Sequence, residues 1–176
     1  MINSSIPAEY AQQGYEVISK AGEVLEVIPR APSKSEIAAA DAQRKTLETF
    51  KQLQRRYSDV SDIERAKQRR LDNIDTNIKI LSGTISNLES NNDDLVRNAA
   101  EFERKGRSVP HTILRQIEDG KKELSVSKDI LEYRYLEYKE TEKKFDSDIQ
   151  AYIEGSKLEK KLEQEQAELE RLAKQR

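Results

Sequence analysis

The stretch LDNIDTNIKILSGTISNLESNNDDLVRNAAEF, residues 71–102, decides the fold. Read in sevens, it sets Leu71, Ile78, Ile85, Asn92 and Ala99 in one column. A second column holds Ile74, Leu81, Leu88, Leu95 and Phe102. Alternating steps of three and four, kept up over roughly four heptads, mark a helix whose apolar seam is buried against another helix. The frame continues upstream through Phe50, Leu53, Tyr57 and Val60, interrupted by Glu64 and Lys67.

Composition agrees with a narrow seam. Of 176 residues, 35% are hydrophobic, against a usual level of roughly 45–50%, and 36% are charged. That mixture is too polar to fill a wide globular core, but it suits long paired helices. The 31 basic and 33 acidic residues are interleaved and leave a net charge of -2, so no basic face stands out for nucleic acid. Arg55, Arg56, Lys67, Arg69 and Arg70 come nearest to one. They are interspersed with Asp59, Asp62, Glu64 and Asp72 and read as a solvated, ion-paired face. Cysteine is absent, which excludes disulfides and thiolate metal sites. No apolar run approaches the roughly 18 residues of a membrane span, and the N-terminus shows no basic-then-apolar leader.

Gly106 supplies a helix stop and Pro110 a restart, with Ser108 the candidate cap between them. Arms of nearly equal length on either side predict a mainly α fold: a long antiparallel coiled-coil hairpin over residues 33–176, turning at residues 106–108. Such a turn sets Phe102 against Ile113, Asn92 against Leu124, Ile85 against Leu131, Ile78 against Tyr138 and Leu71 against Phe145. The second arm then shows a large column of Ile117, Leu124, Leu131, Tyr138, Phe145 and Tyr152. Its other column is small or polar: Gly120, Ser127, Arg134, Thr141 and Asp148. These face Leu95, Leu88, Leu81, Ile74 and Lys67, so large residues pack over small ones and Lys67 falls opposite Asp148. Asn92, polar at a core position, reads as a register-setting residue.

Ser33 and Glu36 fit a capping box, so a helix starts there, and Ser61 with Glu64 repeats the spacing. Gly155-Ser156 is a weak helix point at the level where Val60 is expected. Both arms are therefore expected to carry a joint, at residues 58–61 and 155–156. Beyond it the second arm's seam slips to Leu158, Leu162, Leu169 and Leu172.

Residues 1–32 read differently. Tyr15-Glu16-Val17-Ile18 and Val24-Leu25-Glu26-Val27-Ile28 predict two short antiparallel strands joined by a loop in which Gly22 takes a positive φ. A two-stranded hairpin is marginal alone, so Met1-Ile2-Asn3 reads as the remnant of a further strand, with residues 1–10 irregular or adding an edge strand. Ile2-Asn3-Ser4-Ser5-Ile6-Pro7-Ala8-Glu9-Tyr10, Gly14 to Ile18 and Gly22 to Pro29 resemble a small β-domain family of unknown function found in gammaproteobacterial envelope proteins. Residues 56–64 and 106–110 are similar to its coiled-coil members. The resemblance implies an envelope, periplasmic compartment and no particular activity. With no leader pattern in the chain, a cytoplasmic location stays open.

Little in the sequence carries chemistry. His111, the single histidine, stands beside the turn proline with no partner for base or metal work, and reads as a solvated turn residue. No phosphate loop, serine elbow or zinc spacing occurs. Asp93-Asp94 and Glu101/Glu103 are ordinary members of charged helix faces. Among Tyr133, Tyr135 and Tyr138, the last belongs to the seam, while Glu132, Glu137 and Glu140 repel phosphate. The reading is of no enzyme, cofactor, metal or nucleic-acid partner.

Val126, Ile130 and Tyr133 form an apolar stripe off the seam, which predicts burial against another chain, a homodimer partner, or a folded-back segment. The function that follows is a structural or protein-interaction protein of the bacterial envelope. A holdase chaperone needs an apolar tip, and here the tip reads Glu101, Glu103, Arg104, Lys105 and Arg107. An export-machine adaptor hairpin would carry an Arg-Leu-Ser docking signature that the tip lacks.

Overall fold

The structure, a computed structural model, describes residues 13–19 and 22–175. Strands β1 (Tyr15–Ile18) and β2 (Val24–Ile28) are followed by helices α1 (Lys34–Gln54), α2 (Val60–Arg104) and α3 (His111–Ala173). The fold is mainly α, a long helical hairpin preceded by a β-hairpin, as the heptads and the β-branched alternation predict. The expected strand or irregular segment over residues 1–10 lies outside the described residues. Contacts divide the chain into two compact units, Met1–Glu48 and Thr49–Arg176, the division falling within α1.

In the first unit β1 and β2 pair antiparallel, with Tyr15 opposite Ile28, Glu16 opposite Val27 and Val17 opposite Glu26. A bulge between Val17 and Ile18 brings Ile18 to Val24. Ser19 closes the loop. Its N–H donates to the Glu23 carbonyl at 2.7 Å, and its Oγ accepts from the Glu23 N–H at 3.2 Å. Gly22 takes the expected positive φ of 85°. Gly14 is also obligatory: at φ 80° a Cβ would stand 2.7 Å from the Arg30 nitrogen and 2.9 Å from the Ile28 oxygen.

The capping box at the head of α1 forms as read. Ser33 Oγ accepts from the Glu36 N–H at 3.2 Å, and Glu36 Oε2 accepts from the Ser33 N–H at 2.7 Å. Arg30 adds a bidentate pair to the Glu36 carboxylate, at 2.8 and 2.5 Å.

In the second unit the helix does restart after α1, but the cap differs from the Ser61/Glu64 expectation. Asp59 is the N-cap of α2, accepting from the Asp62 N–H at 2.9 Å, while Asp62 Oδ2 accepts from the Ser58 N–H at 3.0 Å. A carboxylate at the cap meets the positive helix end better than a hydroxyl, and the Ser61 Oγ is itself bonded to Asp59.

At the far end α2 closes in a Schellman motif. The Arg107 N–H reaches the Phe102 carbonyl at 3.0 Å and the Gly106 N–H reaches Glu103 at 2.9 Å, with Gly106 at φ 66°. The link therefore occupies residues 105–110, longer than the expected 106–108. Ser108 is not the cap of α3. Pro110 is, with no side-chain hydrogen bond, its carbonyl accepting from Ile113 at 3.0 Å and Leu114 at 3.3 Å.

Along the hairpin α2 and α3 pack against each other, and burial follows the heptads. Leu71, Ile74, Ile78 and Ile85 are buried, and Leu81, Leu88, Asn92 and Leu95 are half-buried. On α3, Ile117, Leu124, Leu131, Tyr138 and Phe145 are half-buried, and Ser127, Tyr152 and Gly155 are buried. Two helices alone cover each seam side chain on one flank only, which is why so many positions stop at half.

The first arm breaks over residues 55–59, but α3 runs unbroken through Gly155. A Cβ at Gly155 would stand 2.6 Å from Cγ of Phe50, at the last turn of α1, so this glycine makes room for a ring and is no weak point.

Candidate interaction surfaces

Within the seam the register is read from Asn92. Its Oδ1 is buried with no hydrogen-bond partner among the described residues, 3.6 Å from where a Cβ on Gly120 would be. Asn92 thus packs at Gly120, one turn of α3 before the expected Leu124. Two ion pairs bracket the hairpin on its two sides: Glu89 to Lys128 at 2.7 Å and Arg70 to Glu137 at 2.8 Å. Stepped along in heptads, the Asn92 level brings Ile85 to Ser127 and Leu88 to Leu124, in place of Leu88 at Ser127 and Ile85 at Leu131. The reason is spatial. Gly120 leaves room for an amide that a leucine would crowd.

Lys67 also departs from expectation. Its side chain is only 21% exposed, yet Nζ reaches past the seam to Asp146 at 2.6 Å instead of meeting Asp148. An ammonium left facing the core would lose its water, so the stem packs and the charge goes to the rim. Asp146 accordingly raises the pKa of Lys67, by hydrogen bond first.

A cluster at the open end of the hairpin was not read from the sequence as a site. Phe50, Leu53, Ile63 and Tyr152 are buried together, with Tyr57, Val60, Phe145 and Ile149 packed around them. Phe50 and Tyr152 meet edge to face at 5.0 Å. The Tyr152 hydroxyl donates to the Ser58 carbonyl at 2.7 Å, tying α3 to the break in the first arm. Burial, then the nearby Asp59, Asp62 and Glu159 charges, raises the pKa of this phenol and keeps it a donor. A signal was present: Gly155 continues the small column that holds Gly120 and Ser127.

The off-seam stripe is open. Val126, Ile130 and Tyr133 are 57%, 43% and 62% exposed, and the Arg134 guanidinium stands over the Tyr133 ring at 5.8 Å. Ile18, Val24, Leu25 and Val27 of the β-hairpin are exposed too. His111 is exposed at the start of α3. Among the described residues no group of three His, Cys, Asp or Glu side chains could hold a metal ion. No described helix is long and apolar enough to cross a membrane. No family model, curated protein or solved structure matches the chain.

Proposed function

We propose that the chain is a non-catalytic structural or protein-interaction protein, its coiled-coil hairpin serving as a scaffold for the surfaces it displays. The observation behind this reading is that burial follows the seam columns on both arms, from Leu71 to Phe102 and from Ile113 to Tyr152. The apolar side chains of the long helices are mostly spent joining the arms, and the surface left over is available for partners. An envelope, periplasmic location rests on the family resemblance of residues 2–10, 14–18 and 22–29, with 56–64 and 106–110, and on nothing else. The test is proximity labelling in the native cell with the chain at its natural level. A reproducible set of neighbouring proteins supports the reading, and a saturable small-molecule turnover lost with a single polar substitution sinks it.

A second surface is favoured by the exposure of Leu25 at 66% and Val27 at 62% on a strand of a two-stranded sheet. Short open edges accept an added strand from a partner. Leu25→Lys with Val27→Lys should remove any neighbour that binds there and leave the others. The holdase alternative is weakened by the exposed charges of Arg104, Lys105 and Arg107 at the turn.

A further inference from the structure

The two long sides of α2 differ in charge. The Glu89–Lys128 pair marks one side and the Arg70–Glu137 pair the other. Heptad steps from Glu89 lead to Ser82, Asp75 and Val96, and those from Lys128 to Lys121, Tyr135 and Glu142, so that side mixes charges of both signs with uncharged residues on both helices. Steps from Arg70 lead instead to Asn77, Thr84, Asn91 and Asn98, and steps back from Glu137 lead to Ile130 and then to Glu123. The outward positions beside these hold Asn73, Ile80 and Asn87 on α2, and Val126 and Tyr133 on α3. From residue 73 to residue 91 this side of α2 has no charge, in a chain that is 36% charged. Ile80 is 64% exposed, on the same side as Val126, Ile130 and Tyr133.

We propose that this face, uncharged along α2 from residue 73 to residue 91 and centred on Ile80 and Ile130, packs against the same face of a second copy to make a four-helix dimer. Symmetry selects that occupant. A two-fold interface sets a patch against itself, so a charged patch repels its own image. Asparagine and threonine each donate and accept, and therefore complement themselves, as apolar groups do. The charges on the α3 half, Glu123 and Glu137, stand one heptad step to either side of Ile130, and Glu137 is already paired with Arg70 and Arg134.

Size agrees. Residues 73–91 run about 27 Å along α2, and two adjacent helices are about 20 Å across. Two such faces together remove on the order of 1,000 Å² from water, the lower bound for a specific interface. The dimer is accordingly a weak one. It also continues the existing core, because half-buried Leu81 and Leu88, the column next to Asn77, Thr84 and Asn91, gain cover on the flank that α2 and α3 leave open.

This deepens the interaction reading by naming the partner, and a monomer would overturn the pairing while leaving that reading to its own test. Sedimentation equilibrium of the full chain should show the mass rising from 20.3 kDa towards twice that over the micromolar range. Ile80→Lys with Ile130→Lys should weaken the dimer at least about tenfold with helical circular dichroism unchanged. Should the two lysines disturb folding, Ile80→Gln with Ile130→Gln is read the same way. Tyr135→Lys, on the Glu89 side, should leave the constant within about twofold. A wild-type monomer at about 100 µM, or equal loss from Tyr135→Lys, overturns the proposal.

Discussion

Gly155 of α3 lies against the phenyl ring of Phe50, so close that a Cβ would stand 2.6 Å from Cγ and 3.1 Å from Cδ2. Ring and backbone cannot both stay in place if a methyl is added. Gly155→Ala should therefore destabilise by about 1–3 kcal/mol, although alanine is the better helix former. Gly83, in the middle of α2, has nothing within 4 Å of the same position. There the intrinsic preference acts alone, and Gly83→Ala should stabilise by about 0.5–1 kcal/mol. Urea unfolding of the two variants should give opposite signs.

The register can be read by cross-linking, since the chain has no native cysteine. With Asn92 at Gly120, Ile85→Cys with Ser127→Cys should oxidise to a disulfide faster than Leu88→Cys with Ser127→Cys. The reverse order would restore the pairing in which Asn92 meets Leu124.

Acid should loosen the head of α1 before the hairpin. The Arg30 guanidinium and the Ser33 groups hold the Glu36 carboxyl at about 2, below its ordinary 4.5. A carboxylate depressed in this way contributes fully above about pH 4.5 and loses its contribution as the pH falls towards 2. Amide exchange at Ser33 and Glu36 should accelerate across that window. Because the pair is exposed, high salt should move the transition upward.

Tyr152→Phe removes the hydroxyl that bonds the Ser58 carbonyl at 2.7 Å and should cost about 1 kcal/mol. The folded phenol has a raised pKa, chiefly from burial, so its contribution is complete below the ordinary value near 10 and fades as the pH climbs past it. Wild type should lose stability at alkaline pH more steeply than the variant.

Local signals were the legible ones. The two strands, the α1 capping box, the Gly106 stop and the heptad columns each depend on neighbours a few residues away, and the structure reproduces their positions. Register was not legible, because each residue in the link shifts the pairing and the Schellman closure spreads the link over 105–110. Gly155 was misjudged for a related reason. Helix propensity sees a missing side chain, and only the tertiary neighbour Phe50 shows what the space is for. The uncharged side of α2 was visible in its asparagines, but which helix face they share is fixed only once Arg70 is seen beside Glu137.

The link at Gly106 also sets an order of assembly. Across the hairpin, bonded partners lie 67 residues apart at Arg70–Glu137, 79 at Lys67–Asp146 and 94 at Ser58–Tyr152. Closing a longer loop costs more chain entropy, so pairing nucleates beside the link and zips outward, with the Phe50–Tyr152 cluster the last tooth to engage. Unzipping runs the other way. Substitutions near Gly106 should slow folding, whereas those at Phe50, Tyr152 or Gly155 should mainly hasten unfolding. The native lifetime of the hairpin is governed at its open end.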